Sequence, residues 1–412
     1  MTKYKNKSSD FTRKRNFTFK SLSLFIISSI QSSIQRELDR FFKSYNHKEL
    51  SEKFASQSAF SQARLKIKPE AFKELNDDCV NHFYSSYPVK KWNGFRLIAI
   101  DGSEVMLPKT EETVDEFGEY TTNFMNKTIV LARISKAYDV LNKITIDARL
   151  VKRKIGEHPL ANQHIKMFNN GDLTLLDRGY PSFDLFNNIL ATGSHFCARL
   201  AVSNWNIAKE LVKSGQKEII AEIMPGKELK AKYKNEGRSI NPITYRFVCI
   251  ELPSGEKEVL ITSLLDTKKY SHSVFKELYH LRWDIEESYK KDKHRLQLEN
   301  FSGKSITAIY QDFYAKILLA NITAILSSGQ KKAIDQKHRN KKTKYCYQLN
   351  VTTALAKVKE TIALLFTKSN IIEIIVRLIQ MFLENLSPIK PGRSFERKKD
   401  KRKRYHKCYL AL

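Results

Sequence analysis

Cysteine is scarce and scattered in this chain. There are five in 412 residues, Cys79, Cys197, Cys249, Cys346 and Cys408, an odd number with no Cys-x-x-Cys pair. That pattern offers neither a disulfide framework nor a thiolate zinc site, and it fits a reducing, intracellular setting. Long hydrophobic runs are missing too. Leu22 to Ile30, interrupted by serines, and Ile317 to Leu326 are too short to span a bilayer, and neither follows a signal-peptide pattern, so no membrane partner is expected. Acidic residues are in deficit: 44 Asp plus Glu against 72 Lys plus Arg leave a net charge of +28. Such an excess favours a polyanion, with nucleic acid the first candidate and an anionic membrane surface the competing one. Hydrophobic residues make up 42% of the chain, ample for a buried core and more than one structural unit. No internal repeat is present.

The first ninety residues read as helical. Ile30 to Tyr45 and Ala59 to Tyr84 carry apolar residues at spacings of three and four, the second interrupted at Pro69. From Phe95 the pattern turns to β. Phe95 to Ile100 reads as a strand ending at Asp101-Gly102-Ser103, and Thr128 to Ile134 and Ile144 to Val151 continue an antiparallel meander. A helix around Leu160 to Phe168 follows, then a strand, Leu173 to Leu176, ending at Asp177-Arg178-Gly179-Tyr180. Three strands, a helix and a strand tipped by an acid is the order of the ribonuclease H-like fold. After a helix near Ser182 to Ala191, four β segments (His195 to Leu200, Glu218 to Ile223, Thr244 to Leu252 and Glu258 to Leu264) read as an inserted β subdomain. Ser271 to Leu296 reads as one long helix without Gly or Pro, and Asn370 to Leu383 as an apolar helix before a basic tail, Lys390 to Lys407. The expected fold class is therefore α/β, a ribonuclease H-like core interrupted by β strands and flanked by helical regions. The expected divisions are a basic N-terminal region at 1–92, a core at 93–330 with the β insertion at about 194–270, and a basic C-terminal region at 331–412.

The segment from Ser271 carries the most chemistry. Tyr279, Arg282, Glu286 and Lys293 lie at offsets 0, 3, 7 and 14. On a helix all four fall within roughly a 60° arc. Val274, Leu278, Leu281 and Ile285 form a separate apolar stripe that can pack on a sheet, so Glu286 would stand at the core's edge, within reach of acids at strand ends. Asp101, Asp177 and Glu286 together would repel one another unless divalent cations joined them, and oxygen-only ligands suit magnesium or manganese. Two such ions roughly 4 Å apart would support in-line displacement at phosphorus, with Arg282 and Lys293 on neighbouring phosphates. An aspartate after a strand is common at turns, and an Arg, Glu and Lys on one helix face are commonly a solvated surface. The case for chemistry rests on the combination. Glu287 points about 100° away from this face. His158, His164 and His195 lack metal-site spacing and read as structural.

At these residues a resemblance becomes specific. Tyr279 through Lys293 fits Y-(2)-R-(3)-E-(6)-K without a gap, which resembles the signature of the insertion-sequence-four family of bacterial DDE transposases. Asp101-Gly102-Ser103 and Asp177-Arg178-Gly179-Tyr180 resemble that family's first and second acid motifs, and Asp10-Phe11-Thr12-Arg13 and Pro391-Gly392-Arg393-Ser394 are weaker matches. The resemblance implies a ribonuclease H-like fold, two Mg2+ ions (or Mn2+) on Asp101, Asp177 and Glu286, and Tyr279, Arg282 and Lys293 in contact with DNA near the cleaved phosphate, joined by Arg178. It further implies double-stranded element ends and target DNA as substrate, a homodimer in the synaptic complex, and a bacterial cytoplasmic location beside the nucleoid. Trp205 and Trp283 are candidates for stacking on an unpaired base, or for ordinary packing. Two rival readings stay open: a ribonuclease H-like nuclease that never joins strands, and a catalytically inactive DNA-binding derivative.

Overall fold

The computed structural model describes residues 2–13, 15–121, 128–238, 241–252, 254–339 and 344–390. Of the expected basic tail only Lys390 is among them, and Pro391-Gly392-Arg393-Ser394 lies outside. The centre is one nine-stranded mixed sheet: β1 (Arg96–Leu107), β2 (Glu119–Thr121), β3 (Thr128–Asp139), β4 (Ile144–Lys152), β5 (Asp172–Leu176), β6 (His195–Arg199), β7 (Glu218–Ile223), β8 (Ile243–Glu251) and β9 (Lys257–Thr262). β1, β3 and β4 form the expected antiparallel meander; β5 lies parallel to β1, and β6 parallel to β5. The strands of the expected β insertion are present at 195–262. β9 pairs antiparallel with β6, and β8 and β7 follow, so these strands widen the central sheet. Period-2 patterning tells a strand from a helix but not which edge it joins.

Helices cover both faces. One face, built on Leu97, Ala99, Leu173 and Leu175, packs against Leu278, Tyr279, Ile285, Tyr289 and Ile309. The other, built on Ile98, Ile100 and Leu176, packs against Ala161, Ile165, Phe186 and Ile189. At roughly 25 cal/mol per Å² these two apolar layers hold the sheet in place.

The N-terminal region is helical as expected, at Phe19–Ile27, Ile34–Tyr45, Gln57–Arg64 and Glu70–Ser86, with the interruption at Pro69. Its core continues onto Ala315 and Leu318 of the Ile306–Ser327 helix. A buried ion pair ties the two: Arg64 lies 2.7 Å from Asp312 and also donates to Gln311, Ser302 and the Ala308 carbonyl. The apolar helix near the end spans Ile371–Glu384. No helix among the described residues is long and apolar enough to cross a membrane.

Candidate active site

The register of two parallel strands sets the site. Ile100 of β1 is paired with Leu176 of β5, and an aspartate follows each. Side chains alternate along a strand, so Asp101 continues the Leu97, Ala99 row and Asp177 the Leu173, Leu175 row. Both carboxylates therefore emerge on the face covered by Tyr279, Ile285 and Tyr289. Asp101 does not end its strand, as the sequence suggested. β1 runs on to Leu107 because β3 pairs with it throughout, and Asp101 is the first residue beyond its pairing with β5. An opening on one side of β1 begins there.

The expected long helix is also modified. It divides into Val274–His280 and Trp283–His294, with bonds from Arg282 to the Tyr279 carbonyl and from Ile285 to the Arg282 carbonyl that tighten the intervening turn to a spacing of three. Leu281 and Arg282 keep right-handed helical angles, so the axis is tightened rather than reversed. The turn drives Arg282 into the interior, 2% exposed, where its guanidinium donates to Glu286 at 2.9 Å.

Arg282 links the three acids electrostatically. Burial pushes the Asp101 carboxyl up to about 7; the Gly102 N–H and Arg282 oppose the shift, and Glu286 and Glu157 add to it. Burial also acts to raise Asp177, but the Arg178 N–H, Arg282 and Arg199 outweigh it and hold that carboxyl below its ordinary value. Arg199 lies 2.9 Å from Asp177 and bridges to Glu258. The Tyr279 hydroxyl donates to the Asp177 carboxylate at 3.3 Å, and the Tyr289 hydroxyl to the Asp101 carbonyl at 2.7 Å. Asp101, Asp177 and Glu286 thus share one charged neighbourhood. Among the described residues, however, no three Asp, Glu, His or Cys side chains form a group able to hold a metal ion. Glu286 is paired with Arg282 and Asp177 with Arg199.

A family model described as "Transposase DDE domain" matches residues 92–322, and the transposase InsG for insertion sequence element IS4, from Escherichia coli (strain K12), is 24% identical over 271 residues, 65% of this chain and 60% of that protein. The chain belongs to the DDE transposases, of the IS4 type. It spans about 60% of the length of this relative. Among solved structures, a piggyBac transposase synaptic complex with hairpin DNA gives a TM-score of 0.39 at 10% identity, covering 95% of this chain and 82% of that one.

In this family member the other expected residues are placed as follows. Lys293 turns to β1 and donates to the Glu104 carbonyl at 2.6 Å. Arg178 is exposed beside Asp177. Trp283 is 47% exposed, with the Arg282 guanidinium 5.6 Å from its ring centre, whereas Trp205 packs partly buried near Phe247. Sequence reading missed Arg199 and Glu157, both of which act on the aspartates. It also missed a basic groove lined by Lys290, Lys291, His294 and Arg295. Of the three histidines, His164 has a structural place. His164 bonds Ser135 at 2.9 Å and Asp147 at 2.8 Å, a serine–histidine–aspartate relay, but all three are essentially buried and no substrate can reach the serine. The relay pins the Glu157–Ile165 helix to β3 and β4.

The site's chemistry suits a divalent cation. The donors are hard carboxylate oxygens, and one carboxyl is raised by burial to about 7, a cost that a bound cation would relieve; the buried Arg282 Nε, a donor without a partner among the described residues, suits an anionic group such as a phosphate.

Proposed function

We propose that this chain is a cut-and-paste DNA transposase that cleaves at the ends of an insertion element and joins the freed 3′-hydroxyls to target DNA. The observation that carries the reading is the pairing of Ile100 with Leu176, each followed by an aspartate, on the face covered by Ile285, the neighbour of Glu286, which bonds Arg282. Membership of the DDE transposases supports it, and the sheet order β4-β3-β1-β5-β6 supports a ribonuclease H-like core. Asp101, Asp177 and Glu286 would hold Mg2+, two ions with Mn2+ as substitute. Divalent cations at these carboxylates supply activation of the attacking water or 3′-hydroxyl and charge neutralisation at the leaving oxygen.

The chain's own residues do the rest. Tyr279 and Arg199 fix the Asp177 carboxylate, Tyr289 fixes the backbone at Asp101, and Arg178 offers an exposed fork to a phosphate. The reading requires the three carboxylates to exchange Arg282 for cations once DNA is bound; Arg282 and Tyr279 would then contact the scissile strand, with Lys293 at the site's edge. Residues 1–92 would read the element ends, the core at 93–330 would cut, and 331–412 would add affinity for duplex DNA, in a synaptic homodimer. The charge of +28 supports salt-sensitive binding to double-stranded DNA.

The test is an end-labelled duplex carrying the element terminus, incubated with the chain in Mg2+ or EDTA. The expected result is Mg2+-dependent cleavage at the terminus followed by a strand-transfer product. Cleavage without transfer would favour a nuclease, and binding without cleavage would overturn the enzymatic reading.

A further inference from the structure

The sequence motifs supply three acids, yet a fourth stands at the same opening from the opposite face of the sheet. Glu157 opens the Glu157–Ile165 helix, whose Ala161 and Ile165 belong to the layer on the far side from Glu286. Where β1 outruns its pairing with β5, the next residue on that far side is Gly102. A β-carbon there would stand 3.2 Å from Glu157 Oε1, tight enough to force a shift, and one on Gly179 would stand 3.7 Å from Glu157 Oε2. Gly102 thus leaves room for this carboxylate next to Asp101, and Gly179, where a β-carbon would make only ordinary contact, borders it.

Two further features hold Glu157 there. His158, the next residue, bonds the Gly179 carbonyl at 3.1 Å, and His164, two turns along the helix, is locked between Ser135 and Asp147. A glutamate in a first helical turn is commonplace, because the helix dipole favours it. What sets this position apart is Tyr180. Its hydroxyl is buried, has no hydrogen-bond partner among the described residues, and has Glu157, Asp101 and Asp177 as its charged acidic neighbours. An orphaned buried phenol in this charged neighbourhood, which also includes Arg133, is suited to a bound water or cation.

We infer that Glu157 is a fourth carboxylate of the site, contributing with Asp101 to divalent-cation binding from the second layer of the fold. The inference rests on the cation reading of Asp101, Asp177 and Glu286. Its test is Mn2+ binding to the full chain without DNA, followed by the electron paramagnetic resonance of free Mn2+, with circular dichroism melts run in parallel. Asp101→Asn and Glu157→Gln should each weaken Mn2+ affinity by about tenfold or more. If Asp101→Asn weakens binding and Glu157→Gln does not, the role of Glu157 is overturned and the cation reading stands. If neither weakens it, both fail. Should Glu157→Gln not fold, Glu157→Asp keeps the charge and shortens its reach: a lowered Mn2+ affinity supports the inference, and unchanged affinity with a lowered melting temperature overturns it in favour of helix capping.

Discussion

Replacing Asp101 by asparagine should stabilise the cation-free protein at pH 8. Burial, with Glu286 and Glu157 nearby, moves the folded-state Asp101 carboxyl from 3.8 to about 7. A carboxyl raised on folding gives stability that is fully present below the unfolded value and lost as pH rises through the folded one. The wild type therefore loses stability between about pH 4 and pH 7 that an asparagine does not lose. A shift of about 3 units corresponds to about 4 kcal/mol, which falls to about 2 kcal/mol once water reaching a partly exposed carboxyl is allowed for. With an unfolding entropy of about 2.1 cal/mol/K per residue, a chain of this length gains about 2 °C in melting temperature. Scanning calorimetry in EDTA at pH 5 and pH 8 would measure it. The gap between variant and wild type should open on going from pH 5 to pH 8, and Mg2+ should close it by stabilising the wild type alone. An asparagine variant less stable than wild type at pH 8, or a gap independent of pH, would refute the reasoning.

Two further predictions concern buried cations. Arg282→Met removes the shared counter-charge of the acids, and because its partner Glu286 keeps a 29% exposed side chain, the expected loss is about 2 kcal/mol rather than that of a fully buried pair. Calorimetry in EDTA should show the loss, and Mg2+ should recover part of it; a variant as stable as wild type would contradict the role. Lys316, fully buried against the Gln297 and Asn300 carbonyls, has its amine lowered by burial to about 8. An amine depressed on folding costs stability as pH falls from its unfolded value through the folded one, so stability should rise between pH 8 and pH 10.5, by about 3 kcal/mol at most. Urea titrations across that range should show the slope, and Lys316→Met should flatten it.

The legible part of this fold was local. Apolar runs ending at Asp101 and Asp177, and the spacing of Tyr279, Arg282, Glu286 and Lys293, were visible because each lies within one element. The pairing of Ile100 with Leu176 was not, since parallel register across an offset of 76 residues is fixed by tertiary packing. The same limit explains the β insertion: strands β7 to β9 were recognisable, but their continuity with β6 is a long-range choice. The Ser271 to Leu296 segment lacks Gly and Pro, so nothing local announced the tightened turn that buries Arg282. Glu157 escaped because a first-turn glutamate resembles an ordinary helix start; the signal available was Gly102, directly after the first acid.

The central claim, that Asp101, Asp177 and Glu286 serve one divalent-cation site, is tested most directly by loading the chain with Fe2+ in place of Mg2+ in the presence of element-end DNA and triggering local backbone cleavage with ascorbate and peroxide. Clustered breaks beside all three residues, suppressed together by excess Mg2+, are expected. Breaks beside only one of them, or breaks that Mg2+ does not suppress, would contradict it.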